Sequence, residues 1–332
     1  MSDIREKSCW IVGEGLVGLQ NQLIGLAEAL GLTFEVKTAT KPDSFWRFLP
    51  SPFWPNPLSL TTDKKPLSAP WPDILISAGR CGVAVSQAMR RASGGKTFTI
   101  HIQDPLTDPQ KFDVVIVPEH DRIRGDNVMT TYGATHRITT EKLAEAADHF
   151  RPLLASLPRP LIAVLVGGAS KHQDFPPAIM RDLAQKLAAA AQSSGGSLAV
   201  TPSRRTGAEN EAVLKEVLQN TPALIWDGQG ENPYFGLLAL ADAIVVTSDS
   251  VSMISEACFT GKPVYVYDLP GGSKRILQFE DGLRRRGMTR GFMGEIASWH
   301  YPPLDETRKA ADFVRQRWTK KFGTPEQIKQ GT

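Results

Sequence analysis

The chain predicts an α/β protein of two doubly wound domains facing a cleft, and three observations carry that prediction. Short apolar runs alternate with segments of helical period along most of the sequence, as in parallel sheets covered by helices on both faces. The alternation stops at RPLLASLPRP (151–160), where positions 152, 158 and 160 are proline, and then begins again. A proline-rich break between two periodic series reads as an interdomain linker. A length of 332 residues is also more than one ordinary core. The predicted divisions are 1–152, 160–305 and a C-terminal helix and tail, 306–332.

The elements follow in chain order. Residues 9–12 read as a buried strand, 16–30 as a helix with leucines at 16, 19, 23, 26 and 30, and 33–37 as a second strand. Strands at 73–77, 97–102 and 114–117 and a helix at 83–92 complete the first series. The second series has strands at 161–166, 197–201, 223–226, 243–247 and 263–267. Its helices are 178–192, 209–219, 234–240 and a segment opened by the polar turn after residue 247. A last helix, 307–318, has no strand after it. In such sheets ligands lie beyond the carboxyl ends of strands, so chemistry is expected in the strand-to-helix loops.

The most informative stretch is 241–268, ADAIVVTSDSVSMISEACFTGKPVYVYD. A strand, a turn of Ser and Asp and a helix start form a phosphate site, because unpaired N–H groups and the helix dipole favour an anion there. Ser248, Asp249, Ser250 and Ser252 add capping oxygens and hydroxyls. Glu256 follows one turn later, suited to accept two hydrogen bonds from a ribose diol. Gly167-Gly168-Ala169-Ser170 ends the first strand of the second series and lets backbone N–H groups face an anion. Ser203-Arg204-Arg205 ends the next strand, where guanidinium forks form a diphosphate clamp. The loop 226–235, with Asn232, offers free backbone groups to a nucleobase; its aromatics, Tyr234 and Phe235, either add faces to that base or are ordinary core, the reading that suits Phe235 better.

In the first half, Gly13-Glu14-Gly15-Leu16-Val17-Gly18 matches GxGxxG between a strand and a helix. Its readings are a dinucleotide turn, with Lys37 tolerating an NADP phosphate, or a tight turn brought close to some other ligand. Candidate bases are His101 and Asp104 at one strand end and His120, beside Asp121, after the next. A histidine needs the least tuning toward neutral pH. The insertion 44–58, SFWRFLPSPFWPNPL, carries five aromatics and four prolines outside the alternation. Its two uses are packing over the sheet or docking at a membrane interface.

Composition narrows the class. Hydrophobic content of 41% with 22% charged residues is that of a globular protein. A net charge of +3 from 38 basic and 35 acidic residues gives no nucleic-acid partner. Cys9, Cys81 and Cys258 have neither disulfide nor zinc spacing and read as buried thiols in a reducing compartment. No metal site is expected. With no signal-like segment and no long apolar run, a cytoplasmic protein is expected, peripheral to the inner membrane if 44–58 docks.

The GGAS turn, the aromatic-bearing loop and the 241–268 stretch resemble the nucleotide-sugar half of GT-B glycosyltransferases, notably the enzyme that adds N-acetylglucosamine to the lipid-linked peptidoglycan precursor. The whole chain more closely resembles the bacterial relatives of the plant elongated-mitochondria fission factor. That GT-B-like family is also labelled a predicted nucleoside-diphosphate-sugar epimerase. The matching pieces are SAGR (77–80), HIQDP (101–105), VPEHD (117–121), TPSRRT (201–206), GENPY (230–234) and SDSVSMISEA (248–257).

This resemblance implies two Rossmann-like domains, a diphosphate on Ser250 and Ser252, and a ribose on Glu256. The expected activity is inverting, metal-independent glycosyl transfer from a UDP-linked sugar to an acceptor in the first domain. The nucleotide sugar is then substrate, and no cofactor is required. Ser170, Arg204, Arg205 and the helix start would stabilise the departing diphosphate. The alternatives are an epimerase on the same substrate, a non-catalytic scaffold at a membrane, and an NADP-binding protein.

Overall fold

A computed structural model describes residues 3–43, 45–170 and 173–323. The chain forms two compact units, the first of residues 1–137 with 305–332 and the second of 138–304. Unit 1 contains β1 (Cys9–Gly13), α1 (Val17–Leu30), β2 (Phe34–Thr38), β3 (Ile74–Ala78), α2 (Gly79–Ala92), β4 (Phe98–Ile102), β5 (Val114–Pro118) and β6 (Val128–Thr131). Unit 2 contains α3 (Thr140–Leu154), β7 (Leu161–Val166), α4 (Pro177–Ser194), β8 (Ser197–Pro202), α5 (Ala208–Leu218), β9 (Ala223–Ile225), α6 (Tyr234–Leu240), β10 (Ala243–Thr247), α7 (Val251–Phe259), β11 (Val264–Tyr267), α8 (Lys274–Arg285) and β12 (Thr289–Gly291). The chain then returns to unit 1 as α9 (Glu306–Phe322).

Each unit has one six-stranded sheet with every described pairing parallel. The order is β2-β1-β3-β4-β5-β6 in unit 1 and β12-β11-β10-β7-β8-β9 in unit 2. Sheets covered on both faces need strands buried throughout, and β3, β4, β7 and β10 are buried at every position. Alternation then sends successive side chains to opposite cores. In β7, Leu161, Ala163 and Leu165 enter a core with Ile138, Phe150, Leu154 and Leu237, whereas Ile162, Val164 and Val166 enter one with Met180, Leu183 and Leu187. Unit 1 is layered likewise: Ile11, Leu23, Leu26 and Ile76 pack with Val314 and Trp318 of α9, while Val12 and Leu75 pack with Val85 and Met89 of α2. All three cysteines are buried free thiols.

The unit boundary differs from the proline-rich linker. Phe150 and Leu154 of α3 are buried in a unit 2 core, so the chain has already crossed at Arg137. The returning helix is not an independent tail, because Ala310, Ala311, Val314 and Trp318 are buried in unit 1. α3, β6, α8 and β12 were not read from the sequence. α3 carries Pro152 inside a largely polar helix, and β6 and β12 are short edge strands without a continuous apolar run.

Candidate functional site

Strand order locates the crevice in unit 2. The sheet reverses direction of growth between β7 and β10, and in sheets of this kind the switch point, beyond the carboxyl ends of the strands, is where ligands bind. Gly167-Gly168-Ala169-Ser170 and Ser248-Asp249-Ser250 are those loops. Asp249, with a fully buried side chain, ties them together. It accepts hydrogen bonds from the Gly168 amide (3.1 Å), the Thr247 hydroxyl (2.7 Å) and Arg205 Nη2 (2.6 Å). Arg205 Nη1 also donates to the carbonyls of Gly168 and Ala169. A Cβ on Gly167 would overlap the Asp249 carboxylate, and one on Gly168 the Arg205 backbone, which is why both positions are glycine.

Several expected ligand contacts are therefore internal. The Gly167 amide is spent on Thr247 Oγ1 and the Gly168 amide on Asp249, so this pair cradles the chain's own carboxylate. Arg205 is its counterion. Ser203 Oγ donates to the Gly167 carbonyl (2.9 Å) and accepts from the Arg205 amide, bracing the same loop. Ser248 Oγ accepts from Gln173 Nε2 (2.8 Å) and the Leu269 amide (3.0 Å) and is buried. Ser170 and Arg204 are exposed at this edge, and Ser250 and Ser252 are half-exposed at the first turn of α7. Arg204 is exposed and makes no hydrogen bond or ion pair among the described residues, whereas Ser250 caps α7 by accepting from the Met253 amide (3.3 Å).

Glu256 lies one turn further along α7 and is only 8% exposed. Burial pushes its carboxyl up to about 7, partly opposed by the hydrogen bond from Tyr234 Oη (2.5 Å). Burial likewise raises the Tyr234 hydroxyl well above its ordinary value, with the Glu256 charge adding to the shift. Tyr234 opens α6, where Asn232 Oδ1 accepts from its amide (3.0 Å). Asn232, Tyr234 and Phe235 line a cavity of about 520 Å³ with His149 and Phe150 of α3. An aromatic wall and a buried carboxylate are thus joined through one phenol.

Unit 1 reverses between β1 and β3. Gly13 ends β1 and Gly15 adopts a left-handed φ of 75°. Between them Glu14 accepts from the Cys81 amide at the start of α2 (3.3 Å) and pairs with Lys41 (3.2 Å). A dinucleotide turn offers bare amides to a pyrophosphate; this turn offers a carboxylate, which disfavours the NADP reading. His101 is removed as a base. Its ring is fully buried, bonds Ser77 Oγ through Nδ1 (2.9 Å), and burial pushes its pKa down to about 3. Asp104 accepts from the Leu106 amide (2.8 Å) in a loop where two non-glycine residues, Gln103 (φ 85°) and Leu106 (φ 52°), are left-handed. His120 is partly exposed, with Nε2 4.0 Å from the buried Asp121 carboxylate.

The insertion divides. Trp54 is buried, donates to the Leu49 carbonyl (3.0 Å) and lies under Arg80. Phe45, Phe48 and Phe53 are exposed by 63%, 77% and 69%. Ser44, where the predicted insertion begins, lies outside the described residues. No helix among the described residues is long and apolar enough to cross a membrane.

Residues 17–318 match the family model described as "Mitochondrial fission ELM1". The chain belongs to the mitochondrial fission ELM1 family. It is 36% identical over 272 residues to the mitochondrial fission protein ELM1 of Arabidopsis thaliana, which covers 74% of this chain and 64% of that relative's length. The chain thus spans just under two thirds of that relative's length. Among solved structures, UDP-GlcNAc 2-epimerase from Methanocaldococcus jannaschii superposes with a TM-score of 0.58 at 13% identity, covering 93% of this chain and 98% of that one. The same enzyme in complex with UDP-GlcNAc and UDP gives 0.55 at 14% identity, with the same coverages. This ELM1-family chain therefore has the GT-B-like fold of two Rossmann-like units.

Two features of this ELM1-family site escaped the sequence reading. By sequence Asp249 is one capping residue among several, whereas its ion pair to Arg205 joins loops separated by 44 residues. Paired glycines facing a Thr-x-Asp turn were the available signal. The Tyr234–Glu256 bond spans 22 residues and two helices and has no local signature.

Proposed function

We propose that unit 2 binds a nucleoside-diphosphate sugar, most simply a UDP-linked one, and that the protein transfers the sugar to an acceptor bound by unit 1. The observation that carries this reading is the β7/β10 opening. Its loops are locked by Asp249 and Arg205, and it presents a serine-capped helix start, the free guanidinium of Arg204 and the buried Glu256. Diphosphate would sit on the first turn of α7 with Ser250, Ser252, Ser170 and Arg204, where helix dipole and guanidinium take up charge on the leaving group. Glu256 would hold the ribose hydroxyls. The cavity at Asn232, Tyr234 and Phe235 suits a planar base. In the transfer an acceptor hydroxyl attacks the anomeric carbon and its proton passes to Asp104 or His120. The bond from that carbon to the diphosphate breaks, and its electron pair leaves with UDP.

Exposed Phe45, Phe48 and Phe53, with Leu16, Val17 and Leu106, follow the carboxyl ends of β2, β1 and β4. Apolar side chains gathered at the ligand-binding edge of a parallel sheet suit an acceptor with an apolar part, and peripheral contact with a membrane that carries it.

The second reading, favoured by the likeness to UDP-GlcNAc 2-epimerase, is inversion at a sugar carbon with no acceptor. Isothermal titration with UDP and UDP-GlcNAc tests the common step, and product analysis without acceptor separates the reactions. Failure of both ligands to bind wild-type protein would sink the proposal.

A further inference from the structure

The edge of the unit 1 sheet is unpaired beside a cavity. β2 is an edge strand, and among the described residues β1 is the one strand in its ladder. In a parallel pair, alternate residues turn both backbone groups toward the partner and the others turn both away. The Ala39 amide donates to the Gly13 carbonyl, so residues 35, 37 and 39 face β1 and residues 34, 36 and 38 face outward. The outward ladder is begun at one end by the chain itself. The Thr40 amide donates to Leu60 and the Thr62 amide to Thr38, with Ala39 and Thr61 bridged antiparallel. It then stops. After Thr62 the chain turns away, Thr61 Oγ1 donating to the Lys65 carbonyl, and among the described residues no backbone hydrogen bond reaches the outer side of Val36 or Phe34.

The space beside this unfilled ladder is a cavity of about 700 Å³ lined by Val36, Thr38 and Thr62 on the strand side and by Leu67, Pro70 and Trp71 on the segment that follows. That segment is fixed: the Leu67 amide donates to Leu58 (2.8 Å), Leu67 is buried, and Trp71 meets Trp10 edge to face. Val36 is 40% exposed. The charged residues at the cavity, Glu35 with Lys37 and Asp63 with Lys65, balance one another.

The geometry points to a binding site for an extended peptide, added antiparallel to β2 where residues 60–62 leave off. Its backbone would pair with the N–H and C=O of Val36 and Phe34, and its apolar side chains would alternate onto Leu67 and Trp71. Two features select this occupant. The outward groups recur at every second residue, a spacing that only another extended backbone matches along its length. The antiparallel start at Ala39–Thr61 sets the direction. The balanced charges favour a segment without net charge over a polyanion or a basic tail.

The experiment is selection from a phage-displayed dodecapeptide library on the full-length protein, with V36P as counter-target. The Val36 amide points away from β1, so proline there removes the outward donor without breaking the ladder. Selected peptides, synthesised, should bind wild type and lose tenfold or more on V36P, while the melting points stay close. Hydrogen exchange on wild type alone gives the second measurement, which holds even if V36P does not fold. Bound peptide should slow the amides of Phe34 and Val36 and leave those of Glu35 and Lys37 unchanged. No enrichment, equal binding to V36P, or an unprotected Val36 amide would each overturn the assignment.

Discussion

Asp249 and Glu256 are buried carboxylates on one short stretch with opposite surroundings, and they predict different mutant behaviour. Asp249 has a guanidinium, an amide and a hydroxyl. Arg205→Ala would strand that buried charge and should destabilise unit 2 by about 3 kcal/mol, a little less if water reaches the half-exposed guanidinium. Arg204→Ala should leave the melting point unchanged and weaken UDP far more than uridine, since the phosphate contact proposed for it would be charge-assisted. Titration calorimetry and thermal melts together check the contrast; equal loss of uridine and UDP would count against it. Among the described residues Glu256 has only Tyr234 as a hydrogen-bond partner, and burial raises its carboxyl to about 7. Between its ordinary range and 7 the folded state binds more protons than the unfolded one. The stabilisation is therefore whole below about pH 4.5 and lost as pH rises through 7, about 3 kcal/mol in all. Glu280, also pushed up to about 7 by burial, adds in the same direction. Glu256→Gln should flatten part of this loss in urea melts between pH 5 and 8. UDP binding to wild type should strengthen over the same interval, because in the proposed site the ionised carboxylate would accept both ribose hydroxyls.

Elements decide which parts of the aromatic insertion are scaffold. Trp54 packs with Val12, Leu75 and Met89 and under Arg80, so Trp54→Ser should cost roughly 3–5 kcal/mol. Phe45, Phe48 and Phe53 are exposed. Their triple replacement by Ser should leave the melting point within a few degrees and abolish sedimentation with anionic vesicles. Wild-type protein that stays in the supernatant would remove the membrane contact. α7 shows the same division within one helix. Its first turn faces the β7/β10 opening, while Ile254, Ala257 and Cys258 are buried, so the site is carried by a helix whose other face is core.

At the scale of the molecule the chain crosses from unit 1 to unit 2 at Arg137 and returns at Asp305. The returning α9 places Trp318 against Phe98 with ring centroids 5.3 Å apart and buries Val314 in the same core. Large buried side chains contribute about 1.5–3 kcal/mol each, against a total stability of only about 5–15 kcal/mol. A chain ending at Leu304 should therefore lose unit 1 while unit 2 stays folded. Hydrogen exchange would read this as rapid exchange in β1, β3 and β4 with continued protection in β7, β8 and β10. Protected unit 1 strands in the truncated chain would contradict the assignment of α9.

The sequence alone determined what depends on neighbours along the chain. The central strands were legible because a doubly covered parallel sheet demands unbroken apolar runs, as in LIAVLV and AIVVT. The helix start at Ser250 was legible because capping needs its oxygen beside the helix it caps. Tertiary structure decided what depends on partners far apart in sequence. It spent the Gly168 amide and Arg205 on Asp249, because a buried carboxylate must be paired, and the Gly167 amide on Thr247, with Ser203 bracing the same loop. It buried His101, which strand-end position had suggested was a base, since alternation chooses a side chain's face but not what covers that face. It also moved the unit boundary to Arg137, because whether a polar, proline-bearing helix belongs to one core or the other is settled by the surface that accepts its few apolar residues.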